Sequence, residues 1–113
     1  MSRVRIGVLA SGGGSNLQAI LDHFAALGEA RSGDVVLVAS NRPDAGSLQR
    51  ATRAGAATAV LASPHAPQGA DLATVLREHQ VEMIALAGYM RHVPSDVTRA
   101  YHGRMVNVHP ALL

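Results

Sequence analysis

The sequence predicts an α/β fold of the Rossmann-like kind: three layers, with a mostly parallel sheet carrying helices on both faces. Three observations carry this expectation. Apolar runs built from Val, Leu, Ile and Ala alternate along the chain with segments whose apolar residues recur at helical spacing. The connections between them are short, which suits right-handed crossovers between parallel strands. The first apolar run ends in Gly12, Gly13 and Gly14, followed by Ser15, Asn16 and an amphipathic stretch, so the chain opens as strand, tight loop and helix. A length of 113 residues fits a single domain over residues 1–113, and with 48% apolar but only 3% aromatic residues its core has to be aliphatic, as in a buried parallel sheet.

The elements follow in order. Val4 to Ala10 reads as the first strand. Ser15 to about Leu27 reads as a helix with Leu17, Ile20, Leu21, Phe24 and Leu27 inward, a Ser15/Asn16 capping pair at its start and Gly28 as its stop. Val35 to Ala39 is a continuous apolar block, the pattern of a strand covered on both faces. Ser40 to Asp44 forms a loop in which Asp44 caps a second helix reaching Ala54, and Gly55 closes it. Thr58 to Leu61 is a third strand, and Pro64, Pro67 and Gly69 make the next segment an irregular loop. Asp71 caps a third helix to about His79 with Leu72, Val75 and Leu76 inward, and Val81 to Ala87 is a fourth strand. Pro94 opens a short helix to Tyr101, near its first position, and Arg104 to Val108 is a fifth strand. In an open parallel sheet ligands bind outside the carboxyl ends of the strands. The candidate site residues are therefore Ser11 to Asn16, Ser40 to Asp44, Gly88 to Val93 and Asn107 to Pro110.

Composition excludes several chemistries. The absence of cysteine removes disulfides and thiolates and fits a reducing, cytoplasmic setting. No stretch approaches the roughly 20 apolar residues of a membrane span, and an opening strand argues against a secretory leader, so no membrane partner is expected. All 10 basic residues are arginine; without lysine there is no Walker-type phosphate loop and no Schiff base. The arginines are scattered from Arg3 to Arg104, which argues against a nucleic-acid partner. His23, His65, His79 and His102 show no ligand spacing, so no metal is expected.

Three constellations remain. The glycine loop places the free N–H groups and positive dipole end of a helix where an anion can reach the main chain. It matches only half of the dinucleotide fingerprint, because Leu17 stands at the third glycine position and no carboxylate ends the second strand. Arg42 keeps a weak NADP-binding reading open, and a single phosphate is the simpler fit. Asn107 and His109 are two apart, so on a strand they share one face about 6 to 7 Å from each other. An amide donor beside an imidazole suits acyl transfer, the first stabilising an oxyanion and the second moving protons. The same spacing also fits a turn asparagine and a surface histidine. Met90 and its neighbours fit either the wall of an apolar pocket or the core.

Four motifs taken together, Ser11 to Ile20, Ser40 to Ala45, Leu86 to Arg91 and Asn107 to Leu113, closely resemble the phosphoribosylglycinamide formyltransferase family of purine synthesis, which uses 10-formyltetrahydrofolate. The resemblance implies that Gly14, Ser15 and Asn16 grip the phosphate of glycinamide ribonucleotide and that Met90, Arg91, His92 and Val93, with Asn107, line the folate pocket. It further implies that Asn107 holds the oxyanion and His109 transfers protons. The implied partners are these two small molecules, with 10-formyltetrahydrofolate as co-substrate and no metal. Relatives continue past the His-Pro-x-Leu-Leu motif with a catalytic aspartate, so the chain resembles the amino-terminal portion of such an enzyme. Alone it is expected to bind phosphate with negligible transferase activity, and to expose Val106, Val108, Leu112 and Leu113 at a sheet edge open to homo-oligomer formation. The Ser63 to Asp71 loop is shorter than in the family and lacks its arginine contact to the folate tail. A non-catalytic nucleotide-binding or NADP-binding module and a formyltetrahydrofolate deformylase are the alternatives.

Overall fold

The structure of the chain, a computed structural model, describes residues 3–108. Its strands are β1 (Val4–Leu9), β2 (Gly33–Ser40), β3 (Ala57–Val60), β4 (Met83–Leu86) and β5 (Met105–Asn107), and its helices are α1 (Ser15–Leu27), α2 (Gly46–Arg53), α3 (Leu72–Glu78) and α4 (Ser95–Ala100). The sheet order is β3-β2-β1-β4-β5 and every pairing is parallel. The fold class read from the sequence is therefore the one found.

Strand alternation sends side chains to two cores. Ile6, Val8, Val38 and Ala85 meet Leu17 of α1 and Ala51 of α2 on one face. Leu9, Leu37, Ala39 and Ile84 meet Leu72, Val75 and Leu76 of α3 and Val97 of α4 on the other. Each fully buried Val or Leu on these faces stabilises the fold by about 1.5–3 kcal/mol. A bulge in β2 adjusts the pattern: Ile6 pairs with Val35 and Gly7 with Leu37, which leaves Val36 unpaired and turns Val36 and Leu37 toward the same core.

Several boundaries differ from the sequence expectation. β2 begins at Gly33, where a Cβ would sit 2.8 Å from Ile6 Cδ1, so packing extends the strand over a residue of poor strand propensity. Asp44 does not cap α2. The cap position belongs to Ala45 with no side-chain hydrogen bond, and Asp44 instead faces Arg42 at 3.5 Å. Nor do Ser15 and Asn16 cap α1, whose cap residue is Gly14 in the left-handed region. Leu27, expected inward, is 41% exposed at the last residue of α1, and Pro94 sits at the cap of α4, one position before its first helical residue. Asp71 does cap α3, accepting from the Thr74 N–H at 3.1 Å.

The loop between β3 and α3 is strapped to the sheet. Ala62 N–H donates to the Ala70 carbonyl at 2.9 Å and Ala70 N–H to that of Val60 at 2.8 Å. Beside them a Cβ on Gly69 would lie 2.4 Å from the Leu61 carbonyl carbon, a backbone atom that cannot swing aside. On the opposite edge, among the described residues β5 pairs on one side only, with β4, and Val106 is 47% exposed.

Two predictions follow from this packing. Gly69→Ala lowers stability by about 1–3 kcal/mol in denaturant unfolding, the ordinary cost of overpacking. Gly12→Ala, with nothing within 4 Å of its Cβ, stays within about 0.5 kcal/mol of the parent; equal losses at the two sites contradict the packing. The second concerns Tyr101, whose hydroxyl donates to the Val81 carbonyl at 2.7 Å. Burial raises its pKa, with the Arg104 guanidinium opposing, and burial raises Tyr89 likewise against Arg91. A raised folded-state pKa favours the protonated form, so this stability is complete below the unfolded tyrosine pKa of about 10 and is lost as pH climbs through the folded value. With no lysine or cysteine, these two tyrosines dominate side-chain titration in that window. The Tm falls above about pH 10, and Tyr101→Phe flattens that slope; an unchanged slope contradicts the assignment.

Candidate active site

β1 and β4 are neighbours whose following connections leave in opposite directions, to β2 on one side and β5 on the other. Their carboxyl ends therefore border the crevice where open α/β sheets bind ligands. On the β1 side the glycine loop is held by α2. Ser47 N–H donates to the Gly12 carbonyl at 3.2 Å, and Arg50 Nε donates to that of Gly13 at 2.8 Å. Arg50 Nη1 also donates to Gln18 Oε1 at 3.2 Å, joining the loop to the first turns of α1.

This arrangement orients the loop's amides. In a trans peptide the N–H points opposite to the carbonyl it shares a plane with. Since the Gly12 and Gly13 carbonyls face α2, the N–H groups of Gly13 and Gly14 face away from it. Gly14 has φ 93°, and a Cβ there would lie 2.8 Å from Ser47 Cα, so both conformation and space demand glycine. The first intrahelical bond is Gln18 N–H to the Gly14 carbonyl at 2.7 Å. Ser15, Asn16 and Leu17 precede it, and no side chain caps them, which leaves the N-terminus of a 13-residue helix open to an anion.

On the β4 side, Gly88 has φ 72°, and the Asn16 amide nitrogen lies 4.0 Å from where its Cβ would stand. Met90 is 81% exposed, which removes the core reading of this residue. Arg91 and His92 are exposed as well, whereas Val93 packs half-buried on the α3/α4 core beside Tyr89. Ser11, Gly12, Asn41, Arg42, His65, Gly88 and Met90 line an open cleft of about 500 Å³. Asn107 is exposed at the end of β5, in register with Leu86 of β4. His109, Leu112 and Leu113 lie outside the described residues.

The structure thus brings Asn16 near Gly88, and the Met90 amide onto the Ser11 hydroxyl, while Val93 rests half-buried against the core. Sequence reading missed Arg50, an arginine on a helix whose task is set by a loop far away in the chain. It also assigned no role to the buried pair Ser11 and Asn41, 4% and 6% exposed, although both stood in the strand-end segments. Among the described residues, no helix is long and apolar enough to cross a membrane, and no group of three or more His, Asp or Glu could hold a metal ion.

A family model described as formyl transferase matches residues 4–113. The chain is 42% identical over 115 residues to the trifunctional purine biosynthetic protein adenosine-3 of Drosophila melanogaster, covering 98% of this chain and 8% of that protein. It is 36% identical over 118 residues to the chloroplastic phosphoribosylglycinamide formyltransferase of Arabidopsis thaliana, covering 98% of this chain and 39% of the other. Among solved structures, glycinamide ribonucleotide transformylase 1 of Symbiobacterium toebii superposes with a TM-score of 0.79 at 42% identity, over 96% of this chain and 52% of that one. The chain spans about half of that structure and smaller shares of the two curated relatives. A glycine loop opening onto an uncapped helix at the β1/β4 crevice, in a chain matched almost end to end by the family model, makes this chain a member of the formyl transferase family.

Proposed function

We propose that the chain carries the substrate-gripping part of an enzyme that moves a formyl group from 10-formyltetrahydrofolate to the amine of glycinamide ribonucleotide in purine biosynthesis. The observation that supports this reading best is the uncapped N-terminus of α1, with the Gly13 and Gly14 amides turned away from α2 and no lysine in the chain to do the same work. Such a site suits one phosphate dianion, and Gly14, Ser15 and Asn16 are its contacts. The exposed Met90, with Arg91 and His92, offers main-chain and side-chain groups for a folate beside it, and Val93 holds that loop to the core.

In the transfer the amine nitrogen attacks the formyl carbon, the bond from that carbon to the folate nitrogen breaks, and the proton lost by the amine is matched by one gained at the folate nitrogen. Asn107 donates to the oxyanion of the tetrahedral intermediate and His109 relays the proton. The NADP reading has less support, because Arg42 faces Asp44 across 3.5 Å. A deformylase, which would pass the formyl group to water, has no use for a phosphate grip on an acceptor.

Ligand-dependent melting tests the reading. Glycinamide ribonucleotide at a hundredfold excess over its Kd stabilises the chain by about 2.7 kcal/mol, a Tm rise on the order of 10 °C for a domain of this size, and NADP gives none. Gly14→Ala abolishes the rise. Stabilisation by NADP with no response to the ribonucleotide overturns the proposal. The exposed Val106 on the open edge of β5 also supports self-association through that edge. Sedimentation is expected to show concentration-dependent assembly that Val106→Glu suppresses, and a monomer at all concentrations argues against it.

A further inference from the structure

The crevice between β1 and β4 is crossed by a buried polar link. The Ser11 hydroxyl donates to Asn41 Oδ1 at 2.6 Å and accepts from the Met90 N–H at 2.7 Å. Asn41 is fixed in turn, since its carbonyl accepts from the Ser63 hydroxyl at 2.6 Å. One small side chain at the end of β1 thus ties together the loops that follow β1, β2 and β4, and through Asn41 the segment after β3. Donor and acceptor roles are determined throughout: the Met90 amide can only donate, so the Ser11 proton is free to go to Asn41. With Ser11 4% and Asn41 6% exposed, water cannot readily replace either partner, and a lost partner leaves a buried group unpaired. The side chain of Met90 points the other way in burial terms, 81% exposed, so Ser11 is what anchors this residue's backbone.

We propose that Ser11 is a positioning residue that sets the backbone of the Gly88 to Val93 loop against the glycine loop, with Asn41 holding its hydroxyl in the required rotamer. The proposal rests on the reading above that this loop receives the folate and the glycine loop the phosphate. Ser11 acts through the Met90 amide, whose N–H its hydroxyl accepts at 2.7 Å. The glycine loop has its own supports in Ser47 and Arg50, so loss of the Ser11 hydroxyl disturbs the β4 side selectively.

The test combines amide hydrogen exchange with binding of the two ligands to the full chain. In Ser11→Ala the Met90 amide exchanges at least tenfold faster, a folate analogue binds about tenfold more weakly, and glycinamide ribonucleotide binds within twofold of the parent. Ser11→Thr, which keeps the hydroxyl, restores Met90 protection, and Asn41→Leu reproduces the Ser11→Ala pattern in milder form. Unchanged Met90 exchange in Ser11→Ala overturns the proposal, as does an equal loss of both affinities, which is what a merely structural residue gives. Melting of each variant identifies any that fails to fold, and the exchange comparison then rests on the Thr and Leu variants. Failure of the functional reading shows separately, as an unsubstituted chain that binds neither ligand, and the Met90 exchange result stands or falls independently of it.

Discussion

The close seating of α2 against the glycine loop is the constraint on which the rest of the site depends. Gly14 can occupy its left-handed conformation only because nothing but a hydrogen stands between it and Ser47 Cα, and a Cβ on Gly46 would in turn come within 3.0 Å of the Gly13 carbonyl oxygen. Ser47 and Arg50 then take up the two carbonyls of the loop. Because peptide planes are rigid, holding the carbonyls on one side commits the following amides to the other. The direction in which the loop's amides point is therefore set from behind, by α2.

Electrostatics in this chain are correspondingly economical. There is no lysine to reach into the crevice as a mobile point charge. Arg50, whose guanidinium donates to Gly13 and Gln18 through two of its five N–H groups, brings positive charge close to the loop in a fixed place. Under the proposed reading, the attraction for an anion is supplied by that fixed charge together with the α1 dipole, a contribution of about 0.3–2 kcal/mol depending on how far water is excluded. A grip made of backbone and a tethered arginine favours a small, compact dianion over an extended cofactor.

Sheet order decides which loops meet. Because β1 lies between β2 and β4, the loop after β1 is flanked by Asn41 from the β2 loop and Met90 from the β4 loop, residues 30 and 79 positions from Ser11 in the chain. Membership of the formyl transferase family is consistent with this layout, in which the glycine loop, the exposed loop after β4 and the end of β5 share one rim of the sheet.

The sequence by itself determined the alternation of strands and helices, the parallel sheet, and the strand-end segments from which every cleft-lining residue but His65 comes, because hydrophobic period and glycine placement are local signals. It also determined that Asp71 caps α3, a contact between residues three apart. Tertiary structure decided what local signals could not carry. Ser15 and Asn16 look like caps in sequence, yet the approach of α2 gives the cap to Gly14 and leaves the helix end open. Met90 fits a core or a surface equally well by composition, and only the course of the β4 loop exposes it. Asp44 lost its capping role to a pairing with Arg42. Ser11, Asn41 and Arg50 act on partners more than 20 positions away through one or two hydrogen bonds each, and interactions of about 1 kcal/mol between distant residues leave no periodic trace in a sequence.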